Sequence, residues 1–400
     1  MKRLHKAWIV TIGCCLIQGG VLGLVVNCRG IFFSPICNSL QIDLSAFTLY
    51  GVFYGLFCCI AIPFVSSIFN KVNLNAMFGA CTLIMSALIF SCSLFTEVWQ
   101  WYVIAALQGV CSAFLFSITT ATLINNWFID KKGLALGIAS AAPGIIGALF
   151  NPLGASVISH FGWRTGYCFF ALIFLVMVLP SSFLVKLKPG EKENPFGVEK
   201  ITSVSDDGYS VSEVKRMPEF YLLILFSAIA STLTCYPQML SNYGNSLGHS
   251  VSFASMLVSL SMFGGILLKL LVGVVQDKKD VAESLTTASF FLVCSYLALL
   301  AGRNNIFIFT GSFLSGTPMA LTMVVLPVLV RKLFGNKDYS KIFGYITMSG
   351  NLFASLGITI FGTTIDYFGF ASSQVLCVFL SVLIFLLGAT SIRLCRTRRS

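Results

Sequence analysis

The chain has 400 residues, of which 56% are hydrophobic and 10% charged, and it carries a formal net charge of +11. So few polar side chains exclude a water-soluble fold, whose surface they would leave uncovered, and the basic excess comes without the basic face on a soluble domain that nucleic-acid binding needs. The 14 cysteines lie mostly inside apolar runs, as Cys14-Cys15 and Cys58-Cys59 do, with no CxxC spacing, so they read as small buried hydrophobes and not as a disulfide framework or metal site.

Apolar stretches of roughly 20 residues recur along the chain, each long enough to cross a hydrocarbon core of about 30 Å as a helix. The alternation that a membrane barrel requires is absent. In chain order the stretches predict helices at about 8–29, 46–68, 74–95, 99–126, 134–159 and 165–187, then 219–242, 253–275, 284–302, 306–331, 341–364 and 371–392. The first has basic residues before it, as a signal peptide would, but no small-residue cleavage site, and it reads as a retained first helix. The polar segment 188–218 holds Pro189, Gly190, Pro195, Gly197 and most of the acidic residues, the composition of a mobile linker. The expected domains are therefore a six-helix bundle over 1–187, a cytoplasmic linker over 188–218, and a second six-helix bundle over 219–400 that ends in a short basic tail. All 26 Lys and Arg except Arg29, Arg164, Arg303 and Lys269 fall on one side of this topology. The positive-inside rule then puts both termini in the cytoplasm, with the cell membrane as the expected location.

The two halves match at a constant offset of 207 residues. Asn70-Lys71 maps onto Asp277-Lys278, Gly137 onto Gly344, and Phe161-Gly162-Trp163 onto Phe368-Gly369-Phe370. Glycines and loop charges carry this match, not Leu and Ile, which sets it apart from chance similarity among apolar helices.

Gly273-Val-Val-Gln-Asp277-Lys278 resembles the GxxxD(R/K) loop after helix 8 of the major facilitator superfamily, and the first-half copy departs from it with Ser66 and Asn70. Asn126-Trp127-Phe128, the run Lys131-Lys132-Gly133-Leu-Ala-Leu-Gly137 and Gly162-Trp163-Arg164 are similar to the oxalate/formate antiporter and monocarboxylate transporter group. The resemblance implies an all-α membrane protein of twelve transmembrane helices in two pseudo-symmetric six-helix bundles, acting by alternating access with its substrate site between the halves. It also implies a conformational latch built from Gly273, Asp277, Lys278 and Lys71. Many proton-linked members carry Arg in helix 4 four residues before a Gly; here Ala105 precedes Gly109, which argues against the usual proton-coupled sugar or drug exporter.

A charge inside a membrane helix costs about 2.5–3.5 kcal/mol on the insertion scale, so each one is a candidate for function unless it can snorkel to an interface. Lys269 lies four residues before Gly273, a position that resembles that of a substrate-binding cation in helix 8 of the monocarboxylate group; snorkelling is the alternative. Arg29, at the outer end of helix 1 with Asn27 beside it, either lines the outward mouth of a cavity or sits in the extracellular headgroups. All fifteen Asp and Glu fall in loops, the linker or helix ends, as do the three histidines. Buried positive charge without a protein partner points to a small organic anion, a monocarboxylate, moved by exchange or by proton-linked symport.

Polar residues within spans complete the candidate site: Gln18, Tyr54, Gln108, Asn151, Tyr236, Gln238 and Asn351, with Pro237 loosening helix 7. Each is otherwise an interhelical hydrogen-bonding group. Gly133, Gly137, Pro143, Gly144, Gly147, Pro152 and Gly154 give helix 5 a small-residue face expected to pack on its counterpart, helix 11, with Gly344, Gly350, Gly357 and Gly362. No catalytic constellation, Walker loop, metal cluster or cofactor motif accompanies these residues. The expectation is a non-enzymatic, cofactor-free monomer in the lipid bilayer, with a major facilitator permease for a different small solute, or a non-transporting sensor of the same fold, as the alternatives.

Overall fold

The computed structural model describes residues 5–68, 72–117, 119–128, 132–185, 208–302, 304–335 and 337–399. Among them the fold is helical, apart from one isolated bridge between Gly208 and Gly335. The chain folds into two compact units, Met1–Thr202 with Ser250–Met256, and Ser203–His249 with Leu257–Ser400.

Among the described residues, ten helical stretches are long and apolar enough to cross a membrane. In the first unit these begin with α1 (Lys6–Leu40), α2 (Leu44–Ile68), α3 (Leu74–Ser91) and α4 (Val98–Ser112). The fourth continues through a π-helical turn, Ala113–Ser117, into Thr119–Trp127. The next stretch, Lys132–Val178, has 47 residues, too long for a single crossing at 1.5 Å per residue, and breaks at Gly162 with φ 82° and ψ 164°. That backbone region is essentially glycine's alone. The break separates α5 (132–161) from α6 (163–178).

Apart from the start of α8, up to Met256, which groups with the first unit, the second unit repeats this plan with α7 (Pro218–Ser246), α8 (Val251–Lys278), α9 (Val281–Leu300) and α10 (Asn305–Phe334). Its last stretch, Tyr339–Arg399, breaks at Gly369 with φ 79° and ψ 173° into α11 (339–368) and α12 (370–399). The sequence offset is reproduced to the residue: the helices starting at Leu44, Leu74, Val98 and Lys132 have counterparts starting at Val251, Val281, Asn305 and Tyr339, and Gly162 answers to Gly369. The 3₁₀ turn Arg29–Phe32 inside α1 likewise answers to Tyr236–Met239 inside α7.

Three expectations change. Helix 1 does not stop near residue 29 but turns through the 3₁₀ segment into Phe33–Leu40. Pro35 is tolerated because it lies in that segment's first turn, where its missing N–H needs no partner. The loops expected between helices 5 and 6 and between 11 and 12 shrink to single glycines, because the left-handed break reverses nothing else in the helical ladder. On the small-residue faces of α5 and α11, Gly154 and Gly350 pack inside their own units, while among the described residues nothing lies within 4 Å of a methyl group placed at Gly137 or Gly344. A methyl group at Gly154 would lie 2.5 Å from the Phe170 ring, and one at Gly350 2.6 Å from Ser227 Oγ and Ser231 Oγ on α7.

The close approaches between helices repeat as well. A methyl group at Gly109 of α4 would sit 2.3 Å from the Tyr54 carbonyl oxygen on α2, and one at Gly316 of α10 2.4 Å from the Ser261 carbonyl oxygen on α8. Cys28 Sγ donates to the Gly147 carbonyl at 3.9 Å, and its counterpart Cys235 Sγ to the Ala354 carbonyl at 3.1 Å. Outward faces are apolar along whole helices, as with Leu56, Ile60 and Phe64 on α2 or Ile145, Leu149 and Leu153 on α5, all exposed. Water would penalise such faces and lipid does not.

The described end of the linker is not loose. Ser210 and Glu213 form a capping box that starts the short helix Val211–Val214. Tyr209 N–H donates to the Phe334 carbonyl at 2.9 Å, and Val211 N–H to Asp338 Oδ2 at 3.1 Å. Next to it Arg398 reaches the buried Glu219 carboxylate at 3.2 Å, tying the end of α12 to the start of α7.

Candidate functional site

The break in α1 decides where its one basic side chain within the span goes. Cys28 leaves helical geometry at ψ −1°, and Arg29 opens the 3₁₀ turn that follows. This carries the side chain inward, leaving the residue only 6% exposed.

Arg29 lines a small cavity with Leu24, Phe32, Tyr50, Gln108, Tyr167 and Phe170 among others, with about 30 Å³ of space for water-sized groups. All of these residues belong to the first unit. The guanidinium carbon lies 4.5 Å from the centre of the Tyr50 ring and 5.0 Å from that of Tyr54. Two ring faces attract a desolvated cation by up to about 2 kcal/mol each, which offsets part of the cost of burying it. No carboxylate among the described residues pairs with it, and its Nε and Nη2 atoms are buried without a hydrogen-bond partner. Those two nitrogens form the side-on edge of the guanidinium, the edge that matches the two oxygens of a carboxylate.

The wall beside Arg29 is a ladder between two helices. Tyr50 and Tyr54 stand one turn apart on α2, and Gln108 and Ser112 one turn apart on α4. Tyr50 donates its hydroxyl hydrogen to Gln108 Oε1, and Tyr54 donates to Ser112 Oγ at 2.7 Å. Gly109, between the two rungs, lets the backbones approach closely enough for both to form. Opposite, Phe32 stacks on Tyr167 at 4.2 Å and meets Phe170 edge-on at 5.4 Å.

The other candidates fall in different surroundings. Asn27 donates its Nδ2 hydrogen to the Pro143 carbonyl at 3.3 Å and so joins α1 to α5. Tyr236 is fully buried, its ring edge-on to Tyr296 and to Phe361, each at 5.2 Å, and its hydroxyl has no hydrogen-bond partner among the described residues. Gln238 is buried with Oε1 unpartnered, and Asn351 is exposed on α11. Lys269 is half-buried on α8, with no carboxylate bonded to it among the described residues. Of the latch residues, Gly273 and Lys278 lie within α8, which continues to Lys278, so the motif forms its final turns and not a loop. Lys71 and the Asp277 side chain lie outside the described residues.

Sequence reasoning therefore named Arg29, Gln108 and Tyr54 but missed Tyr50, Ser112, Phe32 and Tyr167. The spacings Tyr50-x₃-Tyr54 and Gln108-x₃-Ser112 were a readable signal of two facing helix stripes.

A sequence model described as the Major Facilitator Superfamily matches residues 15–301 and, overlapping these, 234–399. The chain belongs to this superfamily. It is 28% identical over 148 residues to the oxalate:formate antiporter of Oxalobacter formigenes, an alignment that covers 35% of this chain and 33% of the antiporter. It is 23% identical over 280 residues to the MFS-type transporter pynF of Aspergillus niger, covering 68% of this chain and 61% of pynF. These first relatives are thus matched over less than two thirds of their length. Among solved structures, the fold is shared with a bacterial homolog of the human lysosomal transporter Spinster (TM-score 0.73, 14% identity, 98% of this chain and 99% of that one) and with the nucleoside transporter NupG (TM-score 0.74, 13% identity, 97% and 99%). The superfamily, the helical fold and the apolar spans make this a multi-pass membrane protein with no enzymatic centre to assign.

Proposed function

We propose that this superfamily member is a secondary active transporter that moves a small organic anion, a monocarboxylate, across the cell membrane by alternating access. The observation that carries the reading is the Arg29 guanidinium, buried with its side-on edge unpartnered beside a small cavity that the residue helps to line. A buried cation without a protein counter-charge costs several kcal/mol, which a carboxylate ligand would recover through two charge-assisted hydrogen bonds. Arg29 is assigned the anion and Gln108 the adjoining contact. Lys269 serves as a second cation that draws the anion along its path, and Asn27, Gln238 and Asn351 are supporting polar groups. Tyr236 is assigned to packing. Anion exchange and proton-linked symport both fit this assignment. Both termini are placed in the cytoplasm, with Gly273, Asp277, Lys278 and Lys71 latching the helix ends on that side. The partial likeness to the oxalate:formate antiporter supports the substrate class.

The test is uptake of labelled formate and acetate into proteoliposomes. Arg29→Gln is expected to reduce uptake at least a hundredfold, and Lys269→Gln to reduce it less. Undiminished uptake by Arg29→Gln would remove the reading.

A further inference from the structure

Gln108 shares the cavity with Arg29 and is only 1% exposed. A glutamine amide can turn either its oxygen or its nitrogen toward a ligand, and the two choices have opposite consequences beside a cation. Here the choice is made by Tyr50. Its hydroxyl donates to Gln108 Oε1, which commits the oxygen and leaves both Nε2 hydrogens as donors. Tyr50 is itself held in place, its ring 4.5 Å from the Arg29 guanidinium carbon and stacked on Phe47. One side chain therefore touches both donor groups, through its face on one side and its hydroxyl on the other. With the amide reversed, an oxygen would face the chamber and compete with any anion for Arg29.

Resting on the reading of Arg29 as the anion subsite, we propose that Tyr50 and Gln108 are specificity-determining residues. Tyr50 fixes the Gln108 amide so that its nitrogen adds to the Arg29 edge, and the site takes a planar oxyanion, a carboxylate in its ionised form. A protonated acid would lack the charge that pairs with the Arg29 edge, so the site favours the ionised form.

The experiment measures the melting temperature of the purified full-length chain with sodium formate, acetate, nitrate or chloride and with methylammonium. Formate, acetate and nitrate should each stabilise the wild-type protein, chloride and methylammonium far less, and the formate effect should follow the ionised fraction as pH is varied. Gln108→Glu places a carboxylate beside Arg29; its ligand-free melting temperature should rise and its response to formate should vanish. Tyr50→Phe leaves the amide undirected and should weaken formate about tenfold, the scale of one hydrogen bond to a charged group. Formate affinity within twofold of wild type in both Tyr50→Phe and Gln108→Leu, together with its loss in Arg29→Gln, would overturn this inference while leaving the Arg29 reading intact. Chloride as effective as formate, or Gln108→Glu lacking a cooperative melt, would also overturn it. Formate stabilisation that survives Arg29→Gln, or is absent from wild type, would overturn the underlying reading instead.

Discussion

Arg29 and Tyr236 hold the same place in the internal repeat, each opening a four-residue 3₁₀ turn within the first helix of its unit. Ile89 lines the Arg29 cavity, whereas its counterpart Tyr296, together with Phe361, packs edge-on against the Tyr236 ring. The rungs differ in the same way: Tyr54 of the first unit corresponds to Ser261, and Gln108 to Ser315, which donates to Ser261 Oγ at 2.8 Å. One backbone plan has thus been used twice, once with a cavity and a buried cation, once with a closed aromatic core. Glycines at the helix crossings preserve the plan, and side chains at repeat-related positions decide which unit can hold a ligand.

The comparison is most exposed to Tyr236→Ala. Deleting a large buried aromatic costs about 3–5 kcal/mol, so a strong loss of thermal stability is expected with formate binding retained. Loss of binding without loss of stability would show that Tyr236 itself contacts the ligand and is not a packing residue. A smaller effect tests the common plan. Gly109→Ala and Gly316→Ala should each destabilise by about 1–3 kcal/mol as the helices are forced apart. Gly109→Ala should in addition weaken formate, because the Tyr50–Gln108 rung stretches, and Gly316→Ala should leave it unchanged. Equal effects of the two on formate would break the proposed division of roles.

The smallest effect lies outside the spans. The Asp338 carboxyl is held below its ordinary 3.8 by the Val211 N–H and then Lys341, and the Glu213 carboxyl below its ordinary 4.5 by hydrogen bonds from Ser210. Both carboxylates are depressed in the folded state, so what they contribute is present above those ordinary values and is lost as pH falls through the lowered ones. The protection of the Val211–Val214 amides, as exchange relative to the intrinsic rate at each pH, should therefore be level from pH 7 to about 5 and fall only below about 4.

Much of the fold was legible because lipid imposes a simple rule: about twenty apolar residues per crossing, and loop charges sorted by side. The 207-residue offset was legible in part because Gly162 and Gly369 take a positive φ that favours glycine, which keeps the two Phe-Gly pairs in register. What stayed hidden depends on backbone detail. The single-residue breaks at Gly162 and Gly369 look like short loops in a hydropathy profile, and the turn at Arg29 looks like a helix end. Arg29 and Gln108 could be named one by one, but their meeting in one cavity depends on which faces of α1, α2 and α4 converge. The capping box at Ser210 and Glu213 was readable, yet the Gly/Pro content of the surrounding segment outweighed it.

The central claim is that the first unit holds a cation in readiness for an anion, and Arg29→Met tests it most directly. Met keeps much of the side-chain volume and removes the charge, whose unmatched burial costs at least about 1–3 kcal/mol. The account predicts that the ligand-free variant melts higher than wild type and gains nothing from formate. A variant that melts lower in the absence of ligand, and is still stabilised by formate, would contradict it.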